Sequence, residues 1–434
     1  MQRVFKKAVV ALLTWEAKAV LKKFKPRIVA VVGNVGKTSA KDAVYAVLSQ
    51  RYFVRKSEKS FNSEVGVPLT VLGCPNAWHN PLRWLENLFD GLVLILAGGR
   101  YPELLILEIG ADRPGDIARI ARWLSVDAVI VTALPTTPVH IEFFDSVEQV
   151  VEEKASILRS LNSSGSLILN ADDETVLALR ERVPATVAVH TYGFTESADT
   201  RSCGLSVLFE EGGKGFPVGI EGVIDCKGSQ LPARVMGTIG SHSMLSLLAG
   251  CAAGKIFGIP DESIAEGLAS YTPPQGRMRL IQGIKDSLII DDTYNASPAA
   301  TLAALEGLRL VTTAGRKIAV LGDMLELGRH SVEKHREVGK LCADVCDLLL
   351  TVGFRARDVA EGALEQGMAE SAILQFEDAK VAGKELERLL EPGDCVLIKG
   401  SQSMRMERAV EEVMRDPAQA ERLLVRQEPE WKKR

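Results

Sequence analysis

Lys37 and Thr38 close a stretch whose residue types suit the handling of phosphate groups: Ile28-Val29-Ala30-Val31-Val32-Gly33-Asn34-Val35-Gly36-Lys37-Thr38-Ser39. Five apolar, mostly β-branched residues read as a buried strand. A glycine-bearing turn follows, and Lys37 to Leu48 reads as a helix. Glycines let backbone N–H groups wrap an anion, and a helix N-terminus favours negative charge. Here Lys37 would neutralise the terminal phosphates of a nucleotide, and the Thr38 hydroxyl would ligate Mg²⁺. The usual phosphate-loop pattern has a glycine six residues before the lysine. That position is Val31 in this chain, so a chance Gly-x-x-Gly-Lys turn stays open as the alternative.

An ATP-driven reaction also needs metal ligands and groups that stabilise transferred phosphoryl charge. Thr38, Glu108 and His140 can supply ligands from three successive loops on one sheet edge. Mg²⁺ prefers oxygen, so His140 taken alone reads as a structural loop histidine. Lys154, beside Glu152 and Glu153 on a helix, reads as a solvated salt-bridge residue. Cys342 and Cys346 share a helix face, but no His or Cys pair lies nearby in the sequence, and they read as small core residues.

The elements that must position these groups follow an α/β rhythm. Phe53 to Arg55 and Leu104 to Leu107 read as strands, with Glu108-Ile109-Gly110 at the carboxyl end of the latter, where open sheets place ligands. Pro114 opens a helix to Trp123, and Ala128 to Val131 is a further strand. Ser146 caps a helix through Leu158, and Ser166 to Leu169 is another strand. Gly-punctuated alternating runs from Val187 to Met236 suggest hairpins, and Gly240-Ser241-His242 starts a long Ala- and Leu-rich helix. A boundary falls at Tyr271 to Arg277. Beyond it Leu288 to Ile290, Lys317 to Leu321, Leu348 to Val352 and Cys395 to Ile398 read as strands of a second unit. The expected fold class is α/β: a P-loop-type central ATPase domain with a parallel sheet (28–274), plus a C-terminal Rossmann-like domain (275–434). The tail from Asp416 reads as a fraying helix.

The chain has 434 residues, enough for two or three domains, and its 46% hydrophobic and 25% charged content is ordinary for a globular enzyme. A net charge of −4 gives no general argument for nucleic-acid binding, and no nucleic-acid partner is expected. Seven cysteines without framework spacing suggest reduced thiols and a cytoplasmic location. Residues 1–27 hold eight Lys or Arg against one acid, Glu16. Phe5, Val9, Leu12, Val20 and Phe24 could share one helix face. Such a helix could lie on an anionic membrane, or pack on the following domain, which is the favoured reading. The run Leu92 to Ala97 is too short to span a bilayer.

Further stretches complete a recognisable order: Phe61-Asn62-Ser63-Glu64-Val65-Gly66-Val67-Pro68-Leu69-Thr70, Leu107-Glu108-Ile109-Gly110-Ala111, Pro138-Val139-His140-Ile141-Glu142, Glu153-Lys154 and Gly276-Arg277-Met278. Asp291-Asp292-Thr293-Tyr294-Asn295-Ala296-Ser297-Pro298, Leu321 to Gly328 and Lys399 to Glu407 follow. With the loop at Gly33 to Thr38, these resemble the Mur ligases, most of all the MurF type, over residues 28 to about 413. That family's loop also lacks the glycine at Val31.

The resemblance implies an ATP- and Mg²⁺-dependent carboxylate–amine ligase acting through an acyl phosphate, on small-molecule substrates and as a monomer. Within the family the reaction joins D-alanyl-D-alanine to UDP-N-acetylmuramoyl-tripeptide, a step of peptidoglycan precursor synthesis. It implies ATP binding by Gly33, Asn34, Val35, Gly36, Lys37, Thr38 and Ser39, with Ser243, Arg277, Asp292 and Asn295 at the nucleotide. Thr38 and Glu108 would hold one Mg²⁺, His140 would help hold a second, and Lys154 would be carbamylated to an anionic oxygen ligand. Phe61 and Asn62 would touch the nucleotide-sugar peptide, and His335 would lie where ATP and the amine gather. The family begins with a separate domain for the UDP-sugar, whereas 27 residues precede the first strand here, so that end of the substrate is expected to be gripped elsewhere. Ser243 and Ser246 stand where the family has asparagines facing adenine, and a hydroxyl offers fewer hydrogen bonds than an amide. Ser297 likewise replaces an asparagine. Two other readings remain: a ligase of folylpolyglutamate-synthase type on another acceptor, and a non-catalytic nucleotide-binding partner.

Overall fold

Runs of β-branched and aliphatic residues separated by helical periods build two sheets in the computed structural model, which describes residues 2–58, 61–78, 80–138, 140–210 and 215–432. The side chains of residues 1–7, Phe5 among them, and all of Val139 lie outside what is described.

The first sheet has nine strands in the order β2-β3-β1-β4-β5-β6-β7-β8-β9. These are β1 (Arg27–Val32), β2 (Val54–Lys56), β3 (Leu104–Glu108), β4 (Val126–Val131), β5 (Leu161–Asn170), β6 (Ala188–Gly193), β7 (Thr200–Phe209), β8 (Pro217–Cys226) and β9 (Ser229–Met236). β2 to β6 run parallel with β1, and β7, β8 and β9 form the antiparallel meander expected from the Gly-punctuated stretch. β1 lies centrally between β3 and β4, and all but one of its residues are buried. That double-sided burial explains its unbroken apolar run.

Helices cover both faces. On one, α2 (Lys37–Leu48) packs closely against the helix Ser241–Ile256, where a Cβ on Gly250 would lie 3.1 Å from the Ala43 carbonyl. On the other, α1 (Gln2–Phe24) buries Val9, Leu13, Ala17 and Val20 in the core formed with β1 and β3. α3 (Gly66–Leu72) and α4 (Pro81–Leu96) pack beside it. The N-terminal helix thus docks on the following domain. The expected helix Pro114 to Trp123 is shorter, α5 (Asp116–Ala121), because Gly115 is left-handed at its start. The helix from Ser146 is α6 (Val147–Ala155), capped by the Ser146 hydroxyl as expected.

The second sheet begins past the Tyr271 to Arg277 segment and has six strands in the order β10-β11-β15-β12-β13-β14. They are β10 (Arg279–Gln282), β11 (Leu288–Asp292), β12 (Lys317–Gly322), β13 (Leu348–Val352), β14 (Ile373–Phe376) and β15 (Cys395–Lys399). The four strands expected here are its parallel centre. β10 and β14 are short edge additions, β10 antiparallel. The tail is not one helix but the short turns Ala420–Leu423 and Pro429–Lys432. Between them the Arg426 side chain reaches back to the carbonyl of Tyr294 (3.0 Å) and the carboxylate of Glu407 (2.8 Å). The carboxyl ends of β1 and β3 in the first sheet and of β11 and β15 in the second face one another across a cleft.

Candidate active site

β1 ends in the loop that the glycines permit. Gly33 has φ 141° and Gly36 φ 85°, both conformations that L side chains avoid. Gly36 is the residue before α2, so the free N–H groups at the start of that helix open into the cleft. The Asn34 N–H donates to the Ala133 carbonyl (2.7 Å), holding the loop against the end of β4. The Asn34 side-chain amide is buried with neither its nitrogen nor its oxygen partnered. Lys37 donates to the Asn34 carbonyl at 3.2 Å, and desolvation pushes its pKa down, with Glu108 acting in the opposite sense. An anion entering this loop would meet the N–H groups, the orphaned amide and the lysine together.

Glu108, at the end of β3, is 2% exposed. One oxygen accepts from the Thr38 hydroxyl (3.0 Å), the other from the Asn62 amide (3.2 Å). Lys41, buried one helical turn after Lys37, lies 3.6 Å from the same carboxylate. Hydroxyl and carboxylate oxygens side by side are the donors Mg²⁺ takes, so Thr38 and Glu108 fit that ion. His140 stands on the wall of the same cavity but turns to the second domain. It pairs through Nδ1 with Glu326, and its Nε2 lies 3.5 Å from Asp112. Among the described residues, no group of three or more His, Cys, Asp or Glu converges as a metal site.

Lys154 is buried behind this wall, 4% exposed, and donates to the Ala111 carbonyl at 3.3 Å. Burial, reinforced by the charge of Lys37, lowers its pKa to about 7. It is therefore not the solvated salt-bridge residue its neighbours suggest. Glu153 beside it caps α5 instead, accepting from the N–H groups of Gly115 and Ile117.

From the second sheet, Asp292 at the end of β11 and Lys399 at the end of β15 are register partners. Lys399 is 1% exposed and donates to Asp292 (2.6 Å) and to the Asn295 carbonyl (2.8 Å). Arg277 stacks over the Tyr294 ring at 4.1 Å. The cleft between the two sheets encloses about 710 Å³. Asn34, Val35, Gly36, Lys37 and Thr38 line one side with Asn62, Glu108 and His140, while Arg277 and Asn295 stand opposite.

Other expected site residues lie elsewhere. Gly33 sits behind the loop against Thr132. Ser39 and Ser246 are buried, and the Ser246 hydroxyl donates to the His242 carbonyl (3.2 Å). Ser243 is turned inward, its hydroxyl 3.0 Å from that of Thr238, and is not part of the cavity wall. Phe61 packs on the first core, its backbone filling the space beside Gly66, while its neighbour Asn62 reaches the cavity. Asp292 lies just beneath the surface with Lys399. His335 is wholly buried and accepts from the Met324 N–H (3.0 Å), a structural role within the second domain. Ser297 caps the helix Pro298–Arg309. Sequence reasoning missed Lys41, Glu326, Lys399, Arg405 and Trp431. Only the first has a local signal, its place one turn beyond Lys37. Through tertiary contacts Glu326, Arg405 and Trp431 reach the cleft, while Lys399 lies beneath it with Asp292.

Two family patterns match the chain: "Mur ligase middle domain" over residues 91–254 and "Mur ligase, glutamate ligase domain" over 276–402. A UDP-N-acetylmuramoyl-tripeptide–D-alanyl-D-alanine ligase of Bacillus subtilis (strain 168) is 30% identical over 403 residues, 92% of this chain and 79% of that protein. The chain belongs to the Mur ligase family. A MurF ligase from Thermotoga maritima, solved in complex with ADP, superposes on this Mur ligase with a TM-score of 0.73 at 27% identity, covering 93% of this chain and 83% of that one. The MurF fold from Acinetobacter baumannii matches with a TM-score of 0.76 at 22% identity, covering 94% and 81%. The fold class is therefore as expected, and as a Mur ligase the chain is an ATP-dependent, ADP-forming peptide ligase.

Proposed function

We propose that this chain adds D-alanyl-D-alanine to UDP-N-acetylmuramoyl-tripeptide at the expense of ATP. What carries the reading is the meeting of two half-sites in one cavity. The phosphate loop with Thr38 and Glu108 comes from the first sheet, and Arg277 and Asn295 come from the second. The relatives that match along most of the chain bear that activity in their names.

In this reading Lys37 and the loop N–H groups hold the β- and γ-phosphates of ATP. Arg277 and Asn295 reach over the nucleotide, with Asp292 fixing the loop that carries them. A substrate carboxylate oxygen attacks the γ-phosphorus and the bond to ADP breaks, leaving an acyl phosphate. The amine of the second substrate then attacks the acyl carbon, inorganic phosphate leaves, and the amine nitrogen loses its proton. Thr38 and Glu108 would hold one Mg²⁺, and bound Mg²⁺ supplies charge stabilisation at the transferred phosphoryl oxygens. His140, paired with Glu326, and a carbamylated Lys154, behind the cavity wall, would have to turn toward the cleft to hold a second. Asn62 orients Glu108 through its amide. Lys37 meets the charge that builds on oxygen in both steps. Approach of the second domain excludes water from the acyl phosphate, whose hydrolysis would waste the nucleotide.

The test is phosphate release from ATP and Mg²⁺ with UDP-N-acetylmuramoyl-tripeptide and D-alanyl-D-alanine, each omitted in turn. Release that needs both, and is abolished in Lys37→Ala, is the expected result. Release that ignores this pair but appears with another acid and amine would retain the chemistry and remove the substrate assignment.

A further inference from the structure

α4 is apolar on two sides. Its inner side packs Trp84, Leu88 and Ile95 on the first core. There Gly91 lies so close to the buried Glu16 carboxylate of α1 that a Cβ would fall 2.3 Å from Oε2. Its outer side carries Leu82, Leu85, Phe89, Leu92, Val93 and Leu96, from 39% exposed at Leu92 to 80% at Leu96. Spacings of three and four residues place all six in one helical stripe. On the neighbouring α1, Leu12 and Trp15 are 49% and 55% exposed. Single exposed apolar side chains are ordinary, but a row of them along two packed helices marks a contact surface.

Exposed cations frame the row. Arg83 lies in the first turn of α4 and Arg100 just beyond its end, while Lys18, Lys22 and Lys23 are exposed on α1. Lys23 also donates to the Ile95 carbonyl (2.7 Å) and the Leu94 carbonyl (3.3 Å), tying the end of α4 to α1. By helical geometry the acids of α4, Glu86 and Asp90, fall along one edge of the stripe.

We propose that the outer face of α4, with Leu12 and Trp15 of α1, docks on the interfacial layer of an anionic lipid bilayer. The six residues of the stripe carry no hydrogen-bonding side chain, which suits a fluid apolar phase, whereas a protein interface of this kind usually interleaves polar anchors. The surrounding lysines and arginines complement anionic head groups. Among the described residues no helix is long and apolar enough to cross a membrane, so α4 lies in the plane of the interface. The inference is independent of the substrate assignment.

Flotation of the full chain with phosphatidylcholine vesicles, with and without phosphatidylglycerol, tests it. The expected result is binding to the phosphatidylglycerol-containing vesicles that weakens in high salt. Leu85→Glu/Phe89→Glu should lower the partition coefficient by about tenfold or more, with ATP-dependent phosphate release in solution unchanged. Lys18→Glu/Lys22→Glu should weaken binding to anionic vesicles alone. If the double variant fails to fold, Leu96→Gln, at the most exposed position, replaces it. A wild-type chain that stays with the unbound fraction on both vesicle types overturns the proposal. So does a dimer, seen by sedimentation velocity, that depends on the stripe and forms without vesicles, since a second copy would then be the occupant.

Discussion

Three lysines set what the cleft can do, each by a different environment. Lys37 faces the phosphate loop. Lys399 is neutralised by Asp292, and Lys399→Met would leave a buried carboxylate without its cation. Breaking such a pair costs about 3–5 kcal/mol, so the urea midpoint should fall accordingly. A loss below about 1 kcal/mol would mean that water replaces the lysine. Lys154 has a pKa near 7, so above that pH most of its amines are neutral, and a neutral amine adds to CO₂, releasing one proton and forming a carbamate. At pH 8 with ¹³C-bicarbonate, the wild type is expected to show a carbamate carbonyl resonance that Lys154→Met lacks. At pH 6 the signal should fade, since the protonated amine is no nucleophile. A spectrum identical in wild type and variant would refute the modification. The sequence alone makes Lys154 a surface residue, because its two glutamate neighbours suggest a solvated helix face. Where it is buried, it donates to the carbonyl of Ala111, 43 positions away.

Among the elements, the loop and α2 were the most legible. The buried apolar strand, the two glycines and the helix period sit side by side in the sequence, and the helix expected from Lys37 to Leu48 is the one observed. Gly33 and Gly36 allow a contrast within that loop. A Cβ at Gly33 would sit 2.2 Å from the Thr132 hydroxyl oxygen, while at Gly36 its nearest neighbour is 3.8 Å away. Gly36→Ala therefore costs only the left-handed strain, about 1–2 kcal/mol, and Gly33→Ala should lower the Tm further and also abolish ATP-dependent turnover. α4 escaped the sequence reading because it is apolar on both faces, which erases the polar alternation that marks an amphipathic helix. β10 and β14 escaped because edge strands this short carry little periodic signal. The α1–α4 contact holds Glu16, 2% exposed, with Oε2 unpartnered and its pKa raised by burial to about 7. In the unfolded chain it ionises near 4.5. The folded state thus holds the extra proton between pH 4.5 and 7, and stability falls as pH rises through that window. A thermal melt series should show that decline in the wild type and a flatter profile in Glu16→Gln, whose amide is neutral throughout. Equal slopes would place the titration elsewhere.

Across the whole molecule, the two sheets are joined at several points: the Leu280 N–H donates to the Gly237 carbonyl (2.9 Å), Thr238 and Arg279 form a bridge, and Trp78 meets Trp431 edge-on at 6.2 Å. His140 pairs with Glu326, and the Glu142 N–H donates to the Glu326 carbonyl at 3.4 Å, while Glu326 itself is left-handed at φ 63°. Neither partner was legible as a pair in the sequence, since they lie 186 positions apart on different domains. The size of such a contact decides what it can do. Glu326 is 40% exposed at its side chain, and an exposed contact of that kind is worth about 1 kcal/mol at most. One kcal/mol shifts an equilibrium between open and closed arrangements by about fivefold. The pair therefore biases closure without enforcing it, and nucleotide bridging Lys37 and Arg277 is expected to add to it. Glu326→Ala is expected to raise the KM for ATP by no more than about fivefold with kcat nearly kept, and to enlarge the radius of gyration of the free enzyme in X-ray scattering. A non-hydrolysable ATP analogue should return the variant to the wild-type radius. A variant that stays expanded with the analogue bound would show that the His140–Glu326 contact, and not the nucleotide, holds the domains together.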